Sequence, residues 1–158
     1  MGCIKISLSA AALIVSIGFV TMVPGTHSDV AYGASVEENR ENLLKTKECV
    51  GCNLEGVNLE HVALRGADLH YSNLHNAKMR FARLHSANLN GADLSGADLR
   101  SVDLRSADMR YTALVGAIVK NADLRGAIGI TPAQKKHLRK RGAIINQGDR
   151  AVPDDNDG

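Results

Sequence analysis

Two cysteines three residues apart, in Cys49-Val-Gly-Cys52, are the sharpest chemical signal in this chain. Such a pair can close a structural disulfide in an oxidising compartment, or sit reduced as two small buried hydrophobes. It can also exchange with other thiols or supply half of a zinc site. Asn53 follows the second cysteine where covalent haem attachment needs His, and no second C-x-x-C completes a zinc set. The disulfide and the reduced core pair lead; a redox or metal role is the lesser alternative. The remaining ligand types are His61, His70, His75 and His85, and no carboxylate completes a ligand set around them. They read as solvated surface residues, so no metal and no other cofactor is expected. Asp93, Asp98, Asp103 and Asp108 recur every five residues, which marks them as turn hydrogen-bonding material rather than an acid–base pair. Ser72 and Thr112 fall at inward places, where a hydroxyl bonds backbone rather than attacks a substrate. No nucleophile elbow, phosphate loop or zinc-protease motif is present, and the chain is not expected to be an enzyme.

The elements that position these residues follow from a period of five. Apolar centres recur at Leu54, Leu59, Leu64, Leu69, Leu74, Met79, Leu84, Leu89, Leu94, Leu99, Leu104, Met109, Leu114, Val119 and Leu124, fifteen units without a slip in register. Two residues before each centre stands a small or β-branched residue, such as Ala67, Ala92 or Val102, with Cys52, Ser72 and Thr112 in the same position. A unit with two apolar positions cannot bury itself. A buried Leu contributes about 1.5–3 kcal/mol, while ordering each residue costs about 1–2 kcal/mol in backbone entropy. Four units closing a square, with squares stacked about 4.8 Å apart, join each Leu to the next and form a continuous core.

The pattern A(D/N)LxG, as in GADLSGADLR, resembles the pentapeptide-repeat family over about Cys52 to Ala127. That resemblance implies an all-β fold: a right-handed quadrilateral parallel β-helix of about four turns. It also implies that the Leu and the Ala two before it face inward. Some exported members of the family carry a C-x-x-C just before the first repeat, and the similar placement of Cys49 and Cys52 implies a structural role for the pair.

Both ends of such a stack need covers. Ser35 and Glu38 form a capping-box pattern ahead of a short helix that would turn Val36, Leu43 and Leu44 toward the first coil. Thr131-Pro132 starts a second helix that Gly142 stops. Val115, Ile118, Ile128 and Ile130 are apolar at outward places near this end, and Gly129 replaces a centre Leu. The helix 132–141 with Ile144 and Ile145 is the expected cover, and a homodimer through the C-terminal end is the alternative. The expected organisation is a signal peptide or uncleaved anchor at 1–34, an N-terminal capping helix at 35–48 and the β-helix at 49–130. A C-terminal capping helix at 131–145 and a disordered tail at 146–158 complete it.

Residues 1–34 have the layout of a secretory signal. MGCIK is a short positive start, Ile6 to Val23 carries no charge, and Ala31 and Gly33 occupy the small-residue places before Ala34. The apolar run is also just long enough to span a bilayer, so an anchor at residues 6–23 is the rival reading. Either way the body is expected to be exported, to the periplasm or a thylakoid lumen.

Folded on four sides, the charges are uneven. One side carries Lys78, Arg80, Arg100 and Lys120 against Glu60 and Asp98, and its neighbour carries Arg65, Arg83, Arg105 and Arg125 against Asp103 and Asp123, net +2 each. Glu55, Asp68, Asp93 and Asp108 against Arg110 leave the other two sides at −3. The basic sides are a candidate surface for an anionic partner or membrane headgroups, set against a solvated, salt-bridged surface. Tyr71 and Tyr111 are too sparse for a nucleic-acid stacking platform, and no nucleic acid is expected. Family members that protect DNA gyrase from quinolones imitate duplex DNA, which requires a strongly negative surface. Nine Lys and Arg against eight Asp and Glu between Cys52 and Ile130 oppose that alternative here. The expected function is a structural or protein-binding solenoid of the cell envelope with an unidentified partner, and a C-x-x-C thiol protein is the third reading.

Overall fold

The computed structural model describes residues 34–146. The apolar run at 6–23 and the tail from 147 onward lie outside the described residues, as do the expectations attached to them.

Residues pair in parallel with the residue twenty further on: Asn53 with Asn73, then Asp93, then Ala113, and likewise Asn58, Lys78, Asp98 and Ile118. Ala63, Arg83, Asp103 and Asp123 form a third column, and Glu48, Asp68, Asn88, Asp108 and Ile128 a fourth. Twenty residues divided among four columns is five per side, which is why the chain counts in fives. Each side is a short extended stretch plus a turn. The centre N–H donates to the next coil, as Leu54 to the Asn73 carbonyl at 2.7 Å, and so does the N–H two residues on, as Gly56 to His75 at 2.8 Å. The centre carbonyl then accepts from the residue three ahead, as Leu89 from Ala92 at 3.0 Å, closing a β-turn.

That turn needs positive φ two residues after each centre. Asn, Ser and Gly accept it readily, yet bulky residues hold it too: His61 (φ 61°), Tyr71 (58°), Phe81 (59°) and Tyr111 (59°). The cost for an L-residue, about 1–2 kcal/mol, is imposed by the ladder to the neighbouring coil. At Gly91 the glycine has a second reason, since a Cβ there would meet Tyr71 Cδ1 at 2.4 Å.

The interior is filled by the repeat. Fourteen of the fifteen centres are no more than 2% exposed, and Leu114 is half-buried at the C-terminal end. The two inward hydroxyls are spent on backbone: Ser72 Oγ donates to the Leu69 carbonyl at 2.7 Å and Thr112 Oγ1 to that of Leu89 at 2.8 Å.

Helix α1 (Val36–Thr46) covers the first coil, with the Ser35–Glu38 capping box closed and Leu43 fully buried. Three side chains satisfy carbonyls of the first coil: Asn39 Nδ2 donates to Asn53 O at 3.0 Å, Arg40 Nε to Asn58 O at 2.8 Å, and Lys47 Nζ to Ala63 O at 2.5 Å. At the other end the chain leaves the coil after Ile128 and forms α2 (Pro132–Lys140). It rejoins the stack at Ile144, paired with Asp123, so α2 stands in place of two sides. Leu138, Ile130 and Ile145 close the core at no more than 8% exposure. The expected cover over the outward apolar residues is corrected here in part: Ile130 is buried, and the other three are not. α2 buries the end of the core, while Val115 stays 79% exposed, Ile128 53%, Ile144 46% and Ile118 45%.

Leu89→Ala empties a fully enclosed site and is expected to cost about 2–5 kcal/mol in urea unfolding. Leu114→Ala, at the looser end, should cost clearly less; equal losses would contradict a core graded from centre to end.

Candidate functional site

The cysteine pair sits where α1 meets the first coil. Cys49 heads the column continued by Leu69, Leu89 and Met109, and it is bonded to Cys52, with Cα atoms 5.4 Å apart. Cys49 is 2% exposed and Cys52 half-buried, and the bond leaves neither sulfur as a thiol.

The histidines are drawn into separate local contacts. His61 stacks on Phe81 with ring centroids 4.9 Å apart. His70 Nδ1 lies 2.6 Å from Asp68 Oδ1, and His85 Nδ1 lies 2.7 Å from the Arg105 carbonyl. The backbone N–H of His75 donates to Asn73 Oδ1 at 3.0 Å. Among the described residues no three His, Cys, Asp or Glu side chains are grouped to hold a metal ion, and no helix is long and apolar enough to cross a membrane.

The carboxylates are organised by Asp-x-Arg pairs astride a centre residue. Arg105 meets Asp103 through Nε and Nη2, both at 2.8 Å, and Arg125 meets Asp123 at 2.9 and 2.6 Å. Arg110 does the same with Asp108 at 2.9 and 2.6 Å, and Arg100 grips Asp98 through the same two nitrogens. Arg105 Nε also lies 3.8 Å from Asp123, linking two coils. The guanidinium hydrogen bonds hold Asp98, Asp108 and Asp123 below the usual carboxylate range, with partial burial opposing. The hydrogen bond from Arg105 brings Asp103 from its ordinary 3.8 to about 2.

The eight candidate basic residues therefore divide. Arg100, Arg105 and Arg125 are neutralised by their own unit's Asp, whereas Arg65, Lys78, Arg80, Arg83 and Lys120 make no ion pair among the described residues. The Arg80 guanidinium carbon lies 5.5 Å from the Phe81 ring centroid. Asp-x-Arg spacing was a readable signal for these pairs. A groove of about 410 Å³ between the last coil and α2 had none, because its walls, including Leu114, Val115, Ala133 and Leu138, come from separate stretches of chain. A second groove, of about 370 Å³, lies beside it around Tyr111 and Thr131.

These features define a parallel β-helix of five-residue units with a disulfide at its first coil and Asp–Arg pairs on its lateral faces. The family model for pentapeptide repeats matches eight copies across residues 48–85 and 82–121. HetL, a pentapeptide repeat protein involved in heterocyst differentiation regulation from the cyanobacterium Nostoc sp. strain PCC 7120, is 37% identical. The match covers 51% of this chain and 38% of HetL, with a TM-score of 0.50. Rfr23 from the cyanobacterium Cyanothece 51142 is 28% identical over 72% of this chain and 97% of its own, with a TM-score of 0.40. AT2G44920, from the Arabidopsis thaliana thylakoid lumen, is 24% identical over 64% and 81%, with a TM-score of 0.34. No curated protein matches the chain in sequence. The chain belongs to the pentapeptide-repeat family, whose structures are right-handed β-helices.

Because Asp103 titrates lower when folded than when unfolded, its pairing stabilises fully above its ordinary 3.8 and is lost as pH falls through about 2. The melting temperature should drop across that window by circular dichroism. Asp103→Asn should flatten the drop; an unchanged pH profile would show that the pair contributes nothing.

Proposed function

We propose that this chain is a non-catalytic binding scaffold of the cell envelope, in the periplasm or a thylakoid lumen, presenting rigid lateral faces to a protein partner. One observation carries the reading: among the described residues, the hydroxyls, cysteines and carboxylates that the sequence singles out are already engaged in structure. The inward hydroxyls bond the backbone, the cysteines bond each other, and Asp98, Asp103, Asp108 and Asp123 are each held by the Arg two residues on. What the solenoid offers is a long surface of fixed side-chain columns, the kind of surface on which repeat proteins bind partners. The unpaired cations Lys78, Arg80 and Lys120 on one side, and Arg65 and Arg83 on the next, favour an anionic face on that partner. A duplex-DNA mimic would need its carboxylates unneutralised, and these pairs count against it. Export is supported by the charge-free run from Ile6 to Val23 and by the Cys49–Cys52 bond, a linkage suited to oxidising compartments.

The test begins with expression of the full chain in a Gram-negative host, fractionation, and intact mass with and without reductant. A periplasmic species lacking the residues up to about Gly33, gaining the mass of two hydrogens on reduction, is the expected result. A full-length cytoplasmic species with free thiols would remove the envelope reading. Cys49→Ser/Cys52→Ser should lose about 2 kcal/mol of stability and still capture the same partner from envelope extracts. Loss of capture by a folded double variant would instead make the thiols functional.

A further inference from the structure

We propose that the groove between the last coil and α2 binds an extended acidic segment of another protein by strand addition. The evidence is a side of the solenoid whose ladder stops short. Coil after coil, the N–H groups of this side find acceptors: Leu54 on Asn73, Leu74 on Asp93 and Leu94 on Ala113, at 2.7, 2.8 and 2.9 Å. Gly56, Asn76 and Gly96 do the same on His75, Ser95 and Val115, at 2.8, 2.9 and 2.8 Å. In the last coil the acceptors would have to come from residues that have left for α2. Among the described residues the N–H groups of Leu114 and Gly116 meet no backbone carbonyl.

The intervening N–H has lost its partner as well. Glu55, His75 and Ser95 each donate to the side chain two residues before, Asn53, Asn73 and Asp93, at 3.2, 3.0 and 2.8 Å. Position 113 is Ala, so the Val115 N–H has no such acceptor. Leu114 and Gly116 thus present two donors on an open parallel edge, and an open edge is a template for a further strand.

The walls specify what that strand carries. The outward column that reads Glu55, His75, Ser95 in earlier coils turns to Val115, 79% exposed, and the groove beside it is lined by Leu114, Ala133 and Leu138. Side chains on one face of an extended segment would enter there. The rim is cationic: Arg141 lines it, its Nη2 donating to the Ala117 carbonyl, Lys140 precedes it at the end of α2, and no acid occurs from Leu124 to Asn146. A second copy would bring these cations against their equivalents, so charge disfavours self-association through this edge. The chain's own last residues are acidic, but AVPDDNDG offers little apolar alternation, and Pro153 cannot donate to a ladder.

The inference rests on the binding-scaffold reading. It is tested on the full chain with a fluorescein-labelled decapeptide alternating Val and Glu, followed by anisotropy. Saturable one-to-one binding is expected, weakened at least about tenfold, near 1.4 kcal/mol, by Val115→Glu and by Arg141→Glu. N-methylation of alternate peptide amides should abolish it. Val115→Glu should fold normally, because Glu55 already occupies that column. No binding at about 1 mM peptide, far weaker than a specific site would give, would overturn the proposal. So would equal affinity for a Val/Lys peptide, binding only after removal of residues 147–158, or a dimer in light scattering that Val115→Glu dissolves. Envelope pull-downs that still capture a partner with Val115→Glu would leave the scaffold standing without the groove.

Discussion

Everything in this molecule depends on the coil-to-coil ladder, in which residue i pairs with residue i+20 in four columns. No five-residue unit holds a hydrogen-bonded structure of its own beyond one turn. Its extended stretch is satisfied only by the coils above and below, and its Leu only by the Leu columns they bring. Positive φ at Tyr71, Phe81 and Tyr111 is a consequence. Alone these residues would avoid it; held in the stacked ladder they adopt it. The same cooperativity explains a core with almost no aromatic residue. Repetition of Leu over Leu and Ala over Ala supplies complementarity without large anchors.

A ladder must end, and the two ends of this one are finished differently. At the N-terminal end α1 delivers donors to the first coil's carbonyls through Asn39, Arg40 and Lys47, so a helix closes a sheet by its side chains rather than its backbone. At the C-terminal end the chain departs into α2 and returns with Gly142 and Ile144, whose carbonyls accept from Asn121 and Leu124. That return reaches the sides centred on Val119 and Leu124 and leaves the side centred on Leu114 open. The asymmetry separates a sealed end from one with an edge, a groove and exposed apolar residues.

On the lateral faces charge is handled locally. An Asp before a centre and an Arg after it project from the same side, so the carboxylate and guanidinium meet without any longer-range design. Exposed pairs of this kind contribute little stability individually. Their larger effect is to remove both charges from the outward field. Five cations, Arg65, Lys78, Arg80, Arg83 and Lys120, have no such ion-pair partner among the described residues.

The period of five was legible without coordinates because its physical cause is local: one turn and one buried Leu per unit, repeated until stacking is unavoidable. The same regularity made the departures legible, since Val115, Ile118 and Ile128 are apolar where earlier units are polar, and Ser35–Glu38 and Thr131-Pro132 carry helix-start chemistry in adjacent residues. What covers those apolar residues was not legible. Reading along the chain put α2 over them, whereas the fold sends α2 across the open core, because Leu138 gains more by closing the Leu columns than by shielding an outward Val115. Nor could sequence pair Arg40 with Asn58 or leave the N–H of Leu114 without an acceptor. Spacing alone determined the solenoid and its inward residues. Only the tertiary structure decided how its ends are satisfied, because a backbone donor finds its acceptor across the stack, one whole coil away in sequence.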